Sequence, residues 1–247
     1  MLIGQKTVIE DKDYVQRRLE PKRGDVDYLH LVDLIDAIKQ FRSDEKLVIL
    51  DYGCGGSPYR FLFPNAEYRR ADFAAMRDLD YVIGNDSRLA EEDGTFDLIL
   101  STQVAEHVSD PHIYFAECYR LLKAGGRLIC TTHGTFPDHA CPYDFQRWTA
   151  DGLARDIRRA GFKIERSFKL TTNGRALIYL FQKYGGWFDS SSNLLPPVFR
   201  VIRGVIHRLP RLWNWLADKV GPDNRVVESH VEGHDFYIVL MVEASKG

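Results

Sequence analysis

The sequence predicts an α/β fold, a doubly wound and mostly parallel sheet, and three observations predict it. Short apolar runs of strand type alternate with helical stretches from Lys46 to about Phe168. The runs are continuous rather than alternately polar, as in strands buried on both faces. A glycine-rich turn, Gly53-Cys54-Gly55-Gly56, directly follows the first of them. Strands joined through helices pair in parallel by right-handed crossovers.

Taken in order, residues 1–45 contain an amphipathic helix at about Asp27–Phe41, expected to pack beside the first strand or to cover the site. Leu47–Leu50 reads as the first strand, Tyr68–Asp72 as a shorter second one, and Phe96–Ser101 and Arg127–Thr132 as two more. Pro111–Lys123 reads as a helix with Ile113, Phe115, Ala116, Tyr119 and Leu122 on one face. Asp110 is its N-cap, Pro111 its first residue and Gly125-Gly126 its stop. Thr149–Ala160 repeats that design, with Thr149 as cap and Gly161 as stop. Residues 174–226 interrupt the pattern as a helical insertion, and His234–Ala244 returns as a last strand. That strand is expected to pair with Lys163–Leu170 as an antiparallel edge. One domain over 1–247 is expected, with an N-terminal helical cap (1–45), a core (46–170), the insertion and a final strand (227–247).

Composition narrows the function. The 247 residues carry 33 Lys plus Arg against 35 Asp plus Glu, a formal charge of -2, which gives no global attraction to nucleic acid or an acidic membrane. Acidic residues in MLIGQKTVIEDKD stand where a secretory signal needs an apolar stretch. Cys54, Cys118, Cys130 and Cys141 occur singly, so neither a disulfide framework nor a zinc ribbon is expected. A reduced, cytoplasmic protein is the simplest expectation.

The chemistry concentrates in Leu47-Val-Ile-Leu-Asp51-Tyr-Gly53-Cys-Gly55-Gly56-Ser57. Gly53 and Gly55 let the chain turn sharply and a ligand approach the backbone. The following amides can meet an anionic group at a helix N-terminus. Such a turn suits a dinucleotide or S-adenosylmethionine, but the dinucleotide pattern wants a glycine where Pro58 stands. Asp51 at the strand end would repel a pyrophosphate and can hold an ammonium. Asp72, at the end of the second strand, can accept from ribose hydroxyls, although a strand-ending Asp is often only a helix cap.

These stretches resemble the class I S-adenosylmethionine-dependent methyltransferases, in particular the type 11 group. The matching residues are LDYGCGG (50–56), Asp72, GNDSRLAEEDGTFDLILSTQVAEHVSDP (84–111) and LLKAGGRLICTTHG (121–134), about Val48 to Phe162 in all. The resemblance implies a Rossmann-like, seven-stranded sheet, S-adenosylmethionine as cofactor and S-adenosylhomocysteine as product. It implies cofactor contacts from Asp51, Gly53, Cys54, Gly55, Asp72, Phe73, Asn85, Asp86, Ser87 and Gln103. Either Asn85 or Asp86 would touch the adenine. Ser57 departs from a frequent third glycine.

Two loops carry the acceptor side. Thr102–His107 follows the fourth strand, where His107 is either a general base or a residue orienting a helix start. His133–Thr149 resembles a subgroup with a PYDFxRWT segment, often encoded among polysaccharide and cell-envelope enzymes. There His133 and Asp144 could move a proton while Tyr143 and Arg147 recognise a sugar or a carboxylate. Alternatively Phe145 and Trp148 pack, and Asp144 and Arg147 form a structural ion pair. His133, His139 and Cys141 fit no standard zinc spacing, so no metal is expected. Residues 196–220 carry an apolar stripe that runs from Leu195 through Val198, Phe199, Ile202, Val205, Ile206 and Leu209 and continues beyond an expected kink at Pro210 as Leu212, Trp213 and Leu216. Arg200, Arg203, Arg208, Arg211 and Lys219 against Asp218 give this stretch a basic face suited either to a membrane surface or to a lid or dimer contact.

The sequence therefore points to methyl transfer from S-adenosylmethionine to a hydroxyl or carboxylate of a small-molecule, carbohydrate-type or lipid-linked acceptor, with no nucleic-acid partner. An NAD(P)-dependent oxidoreductase or epimerase, and a cofactor-binding module without turnover, are the competing expectations.

Overall fold

The computed structural model describes residues 12–73, 78–184 and 209–247. Strands β1 (Val48–Tyr52), β2 (Glu67–Asp72), β3 (Tyr81–Val82), β4 (Phe96–Thr102) and β5 (Leu122–His133) pair in parallel. With β6 (Lys163–Thr172), β7 (Val226–Glu228) and β8 (Tyr237–Ser245) they form one sheet in the order β3-β2-β1-β4-β5-β8-β6-β7. The sheet thus has eight strands where seven were expected. The short β3 and β7 carry too few residues for any hydrophobic period. The last strand does pair with Lys163–Leu170, but it lies between β5 and β6, antiparallel to both, and β7 holds the outer edge. Its residues Ile238–Ala244 are all buried, which requires cover on both sides and both edges.

Helices α3 (Pro111–Leu121) and α4 (Ala150–Arg159) cover one face of the sheet. Asp110 caps α3 by accepting from the His112 and Ile113 amides, at 2.9 and 3.3 Å, and Thr149 caps α4 by accepting from Gly152 at 3.1 Å. The buried side of α3 is Tyr114, Phe115, Cys118 and Leu121, with Ile113 exposed, so the apolar stripe is rotated by one residue from the expected one. Tyr114 lies inward because its hydroxyl donates to the buried Ser101 at 2.6 Å. The helix ends at Leu121, and Gly125-Gly126 lies in the lead-in of β5 rather than serving as the stop.

Helices α1 (Lys12–Leu19), α2 (Tyr28–Lys39), α5 (Asn173–Tyr184) and α6 (Pro210–Val220) complete the helical set among the described residues. Core packing on the second face comes chiefly from α2 and α5. A buried ion network locks α2, α5 and α6 together. The Arg175 guanidinium donates to Asp33 at 2.7 and 3.0 Å and to Asp218 at 2.9 Å, and Arg225 reaches Asp33 at 2.8 Å. In α6, Pro210 is the first helical residue, so it starts a helix rather than kinking one. The side it buries is Asn214 and Ala217, while Leu212 and Trp215 face outward, 47% and 46% exposed. Polar anchoring decides this orientation. Asn214 accepts from Gln182 at 2.8 Å and donates to the Arg23 and Asp25 carbonyls at 2.9 Å. The part of the expected stripe from Leu195 to Ile206 lies outside the described residues.

Candidate active site

The carboxyl ends of β1, β2, β4 and β5 converge on one edge of the sheet, where parallel α/β sheets bind ligands. After β1 the chain turns through Gly53 at φ 71° and Gly55 at φ 47°. A Cβ on Gly53 would lie 2.4 Å from Val104 Cγ2, so only glycine fits between the two loops. The turn is held by the Gly53 and Cys54 amides donating to Ala71 O at 2.9 Å, and by Gly55 N donating to Asp72 Oδ2 at 2.9 Å. Arg70 braces it from below, donating to Ser57 Oγ at 3.0 Å and Gly55 O at 3.1 Å.

Asp51, 2% exposed, ends β1 beneath this turn and accepts from the Tyr68 hydroxyl at 2.7 Å. Burial pushes its carboxyl up to about 7, against the Tyr68 and Ser57 hydrogen bonds that favour ionisation. Asp72 is buried at the end of β2, with Phe73 half-exposed beside it. Asn85 and Asp86 are exposed, whereas Ser87 is buried in a left-handed conformation with its carbonyl accepting from Tyr52 at 2.6 Å. Cys54 is buried, and burial raises its thiol to about 12. Gln103, at φ 58°, is held left-handed by its amide donating to Thr131 O at 2.9 Å, a strained backbone at the sheet's ligand edge.

The second wall is the loop after β5, stitched to the loop after β4. Phe145 N donates to Glu106 O at 2.8 Å, and Gln146 Nε2 donates to Ala105 O and Val108 O at 3.3 and 3.0 Å. His107 Nδ1 lies 2.6 Å from Tyr143 O. A carbonyl only accepts, so Nδ1 carries a proton, and in the neutral ring Nε2 then keeps its lone pair. Tyr143 is 63% exposed. His133 is buried, stacked on Phe136 at 3.7 Å, with Nε2 3.2 Å from Glu106 Oε1. Burial, then the neighbouring His139 and His30, hold His133 well below the usual histidine range.

Asp144 and Arg147 do not offer free groups to a ligand. Arg147 grips both Asp144 oxygens at 2.5 Å and donates to the Phe136, Pro137 and Gln146 carbonyls. Burial would raise the Asp144 carboxyl, but the Arg147 hydrogen bonds outweigh it and bring it down to about 2, a poor proton acceptor near neutrality. Trp148 packs in the core and donates to Asp156 at 3.1 Å. This geometry favours the structural alternative for the segment.

Four neighbours escaped the sequence reading. Tyr68 and Arg70 reach the turn only through the β1–β2 register, which pairs Asp51 with Arg70. Glu106, fully buried beside His133, had one signal, its place in the Glu-His doublet after β4. Arg18, over the Tyr14 ring at 4.7 Å and hydrogen-bonded to Tyr59, comes from a helix with no motif at all.

Comparison with known proteins fits this geometry. Residues 50–130 match the family model described as Methyltransferase domain. A ubiquinone biosynthesis O-methyltransferase of Maricaulis maris is 36% identical over 107 residues, which cover 37% of this chain and 42% of that protein. The protein of the same name from Cereibacter sphaeroides is 38% identical over 106 residues, covering 36% and 42%. The chain thus aligns with less than half the length of these curated relatives. Among solved structures, an S-adenosylmethionine-dependent methyltransferase from Thermotoga maritima shares the fold at TM-score 0.55 and 16% identity, covering 95% of each chain. Phosphoethanolamine N-methyltransferase 2 of Haemonchus contortus, solved with S-adenosylhomocysteine, shares it at TM-score 0.51 and 14% identity, covering 96% and 60%. Over residues 50–130 the chain carries a methyltransferase domain, and S-adenosylmethionine is the cofactor of such a domain.

Proposed function

We propose that the protein, as one catalytic domain in the cytoplasm, moves the methyl of S-adenosylmethionine to a hydroxyl of a small, lipid-linked molecule. In this reading Asp51 meets the cofactor ammonium and Asp72 accepts from the ribose, on the turn that the Gly53, Cys54 and Gly55 amides hold in place. Phe73, Asn85, Asp86, Ser87 and Gln103 border the remainder of the cofactor. The acceptor enters past Tyr143. Its oxygen attacks the methyl carbon in line, the carbon–sulfur bond breaks with its electron pair left on sulfur, and the hydroxyl proton passes to His107 Nε2.

The observation that carries this reading is the His107 Nδ1 contact with the Tyr143 carbonyl, which in the neutral ring leaves Nε2 as the basic nitrogen. Deprotonation matters for a hydroxyl and not for a carboxylate. The name of the aligned relatives, O-methyltransferases of ubiquinone biosynthesis, supports oxygen as the methylated atom and a phenolic acceptor over a sugar. The exposed Leu209, Leu212 and Trp215 at α6, with the exposed Leu177 and Phe181 of α5, support a lipid tail. Among the described residues no helix is long and apolar enough to cross a membrane, so such contact would be peripheral.

The test is radiolabelled methyl transfer to a panel of prenylated phenols, free phenols and sugars, with wild type and His107→Gln. Prenylated phenols should be methylated best. His107→Gln should lower kcat about 10²–10⁴-fold with unchanged S-adenosylhomocysteine affinity. Methylation of sugars alone, or full activity in the variant, would reject the assignment.

A further inference from the structure

Glu106, His133 and His139 come together from the loop after β4, the end of β5 and the loop beyond it, with one ligand atom of each within 4.8 Å of the others. We propose that they form a three-ligand site for a divalent transition-metal ion such as Zn²⁺. Zinc bound by nitrogen and oxygen at about 2.0–2.1 Å with tetrahedral angles sets its ligand atoms roughly 3.3 Å apart. Glu106 Oε1 and His133 Nε2 already stand 3.2 Å apart. Both side chains are at least nine-tenths buried, and Glu106 Oε1 has no hydrogen-bond partner among the described residues, a costly arrangement unless something else engages it.

The surroundings are those of a supported metal site. Thr132 Oγ1 donates to the other Glu106 oxygen at 2.8 Å, which fixes the carboxylate plane. Asp144 Oδ2 lies 3.4 Å from His139 Nδ1 and accepts the His139 amide at 2.8 Å, and Arg147 Nη2 lies 3.5 Å from the same ring nitrogen, so the Asp144–Arg147 pair sets the His139 ring. The Asp144–Arg147 clamp thereby gains a purpose, since it sets the His139 loop. Phe136 closes the other side of His133. Three protein ligands leave a fourth position open, the arrangement of a catalytic rather than a structural zinc ion. The His107 ring lies 4.8 Å from His139, so an acceptor hydroxyl on the ion would be next to the proposed base. The ion would lower the pKa of that hydroxyl, and His107 would take its proton. The spacing of His133, His139 and Cys141 hid the site because Glu106 comes from a different strand end.

This role rests on the proposed methyl transfer, but ion uptake is read without turnover. The full chain is stripped with a chelator and titrated with Co²⁺, following visible ligand-field absorption, with Zn²⁺ as competitor. One Co²⁺ per chain should bind, displaced by Zn²⁺, with affinity unchanged in Cys141→Ser. His133→Asn and His139→Asn should weaken it by at least about tenfold. S-adenosylhomocysteine affinity of His139→Asn should match wild type, which separates loss of the ion from loss of the cofactor site. No stoichiometric uptake, uptake indifferent to both histidine variants, or loss in Cys141→Ser would overturn the site.

Discussion

In the proposed cofactor site Asp51 makes binding sensitive to pH, and the size of the effect follows from its burial. Its carboxyl, 2% exposed, is raised to about 7 by burial. In the free protein the protonated form adds stability that is fully present below the ordinary carboxyl range and is lost as pH rises through about 7. The cofactor ammonium favours the opposite form, so binding improves over the same window and releases a proton. With a free-state pKa of about 7, the ionised fraction falls from about three quarters at pH 7.5 to about 3% at pH 5.5. The dissociation constant of S-adenosylhomocysteine should therefore rise about 25-fold, or about 2 kcal/mol, provided the bound carboxyl stays ionised. Calorimetry at both pH values, in buffers of different ionisation enthalpy, reads the affinity and the released proton together. Asp51→Asn should bind weakly at both and lose the slope. A wild-type affinity flat between the two values, or a variant that keeps the slope, would refute the reasoning.

Other consequences can be measured directly. Gly53→Ala forces a methyl to within 2.4 Å of Val104 Cγ2 at a φ of 71°, and should cost about 1–3 kcal/mol in urea unfolding together with most cofactor affinity. Arg175→Met strands buried Asp33, leaving Arg225 and Thr171 on its carboxylate among the described residues, and should cost about 3–5 kcal/mol with an unchanged m-value. Leu212→Glu with Trp215→Glu replaces two outward apolar residues of α6. Cosedimentation with anionic lipid vesicles should fall at least severalfold while the melting temperature stays put; equal partition of the variant would remove the lipid contact.

The features legible in the sequence were those set locally. Asp110 and Thr149 announced their helices, because a cap depends on the first turn alone. The Asp51–Gly55 turn was legible because close approach of two loops demands glycine, and the structure supplies the second loop as Val104. What depends on register and distance was not legible. Ile238–Ala244 reads the same as an edge or an interior strand, and its neighbours decide. The inward side of α6 went to Asn214 because Gln182 and two distant carbonyls await it, so of the expected stripe Leu212 faces outward while Trp213 and Leu216 are half-buried. Asp144 and Arg147 could equally have faced a ligand or each other, and the three backbone carbonyls around the guanidinium favour the ion pair. Tyr68 beneath Asp51 and Glu106 beneath His133 belong to contacts that only the folded sheet creates.

The central claim is most directly tested by calorimetric titration of the purified full chain with S-adenosylmethionine, S-adenosylhomocysteine and NAD in parallel. Binding of the two adenosyl ligands at one site per chain, lost in Asp72→Ala and absent for NAD, is the predicted result. Binding of NAD alone, or adenosyl binding indifferent to Asp72→Ala, would contradict it.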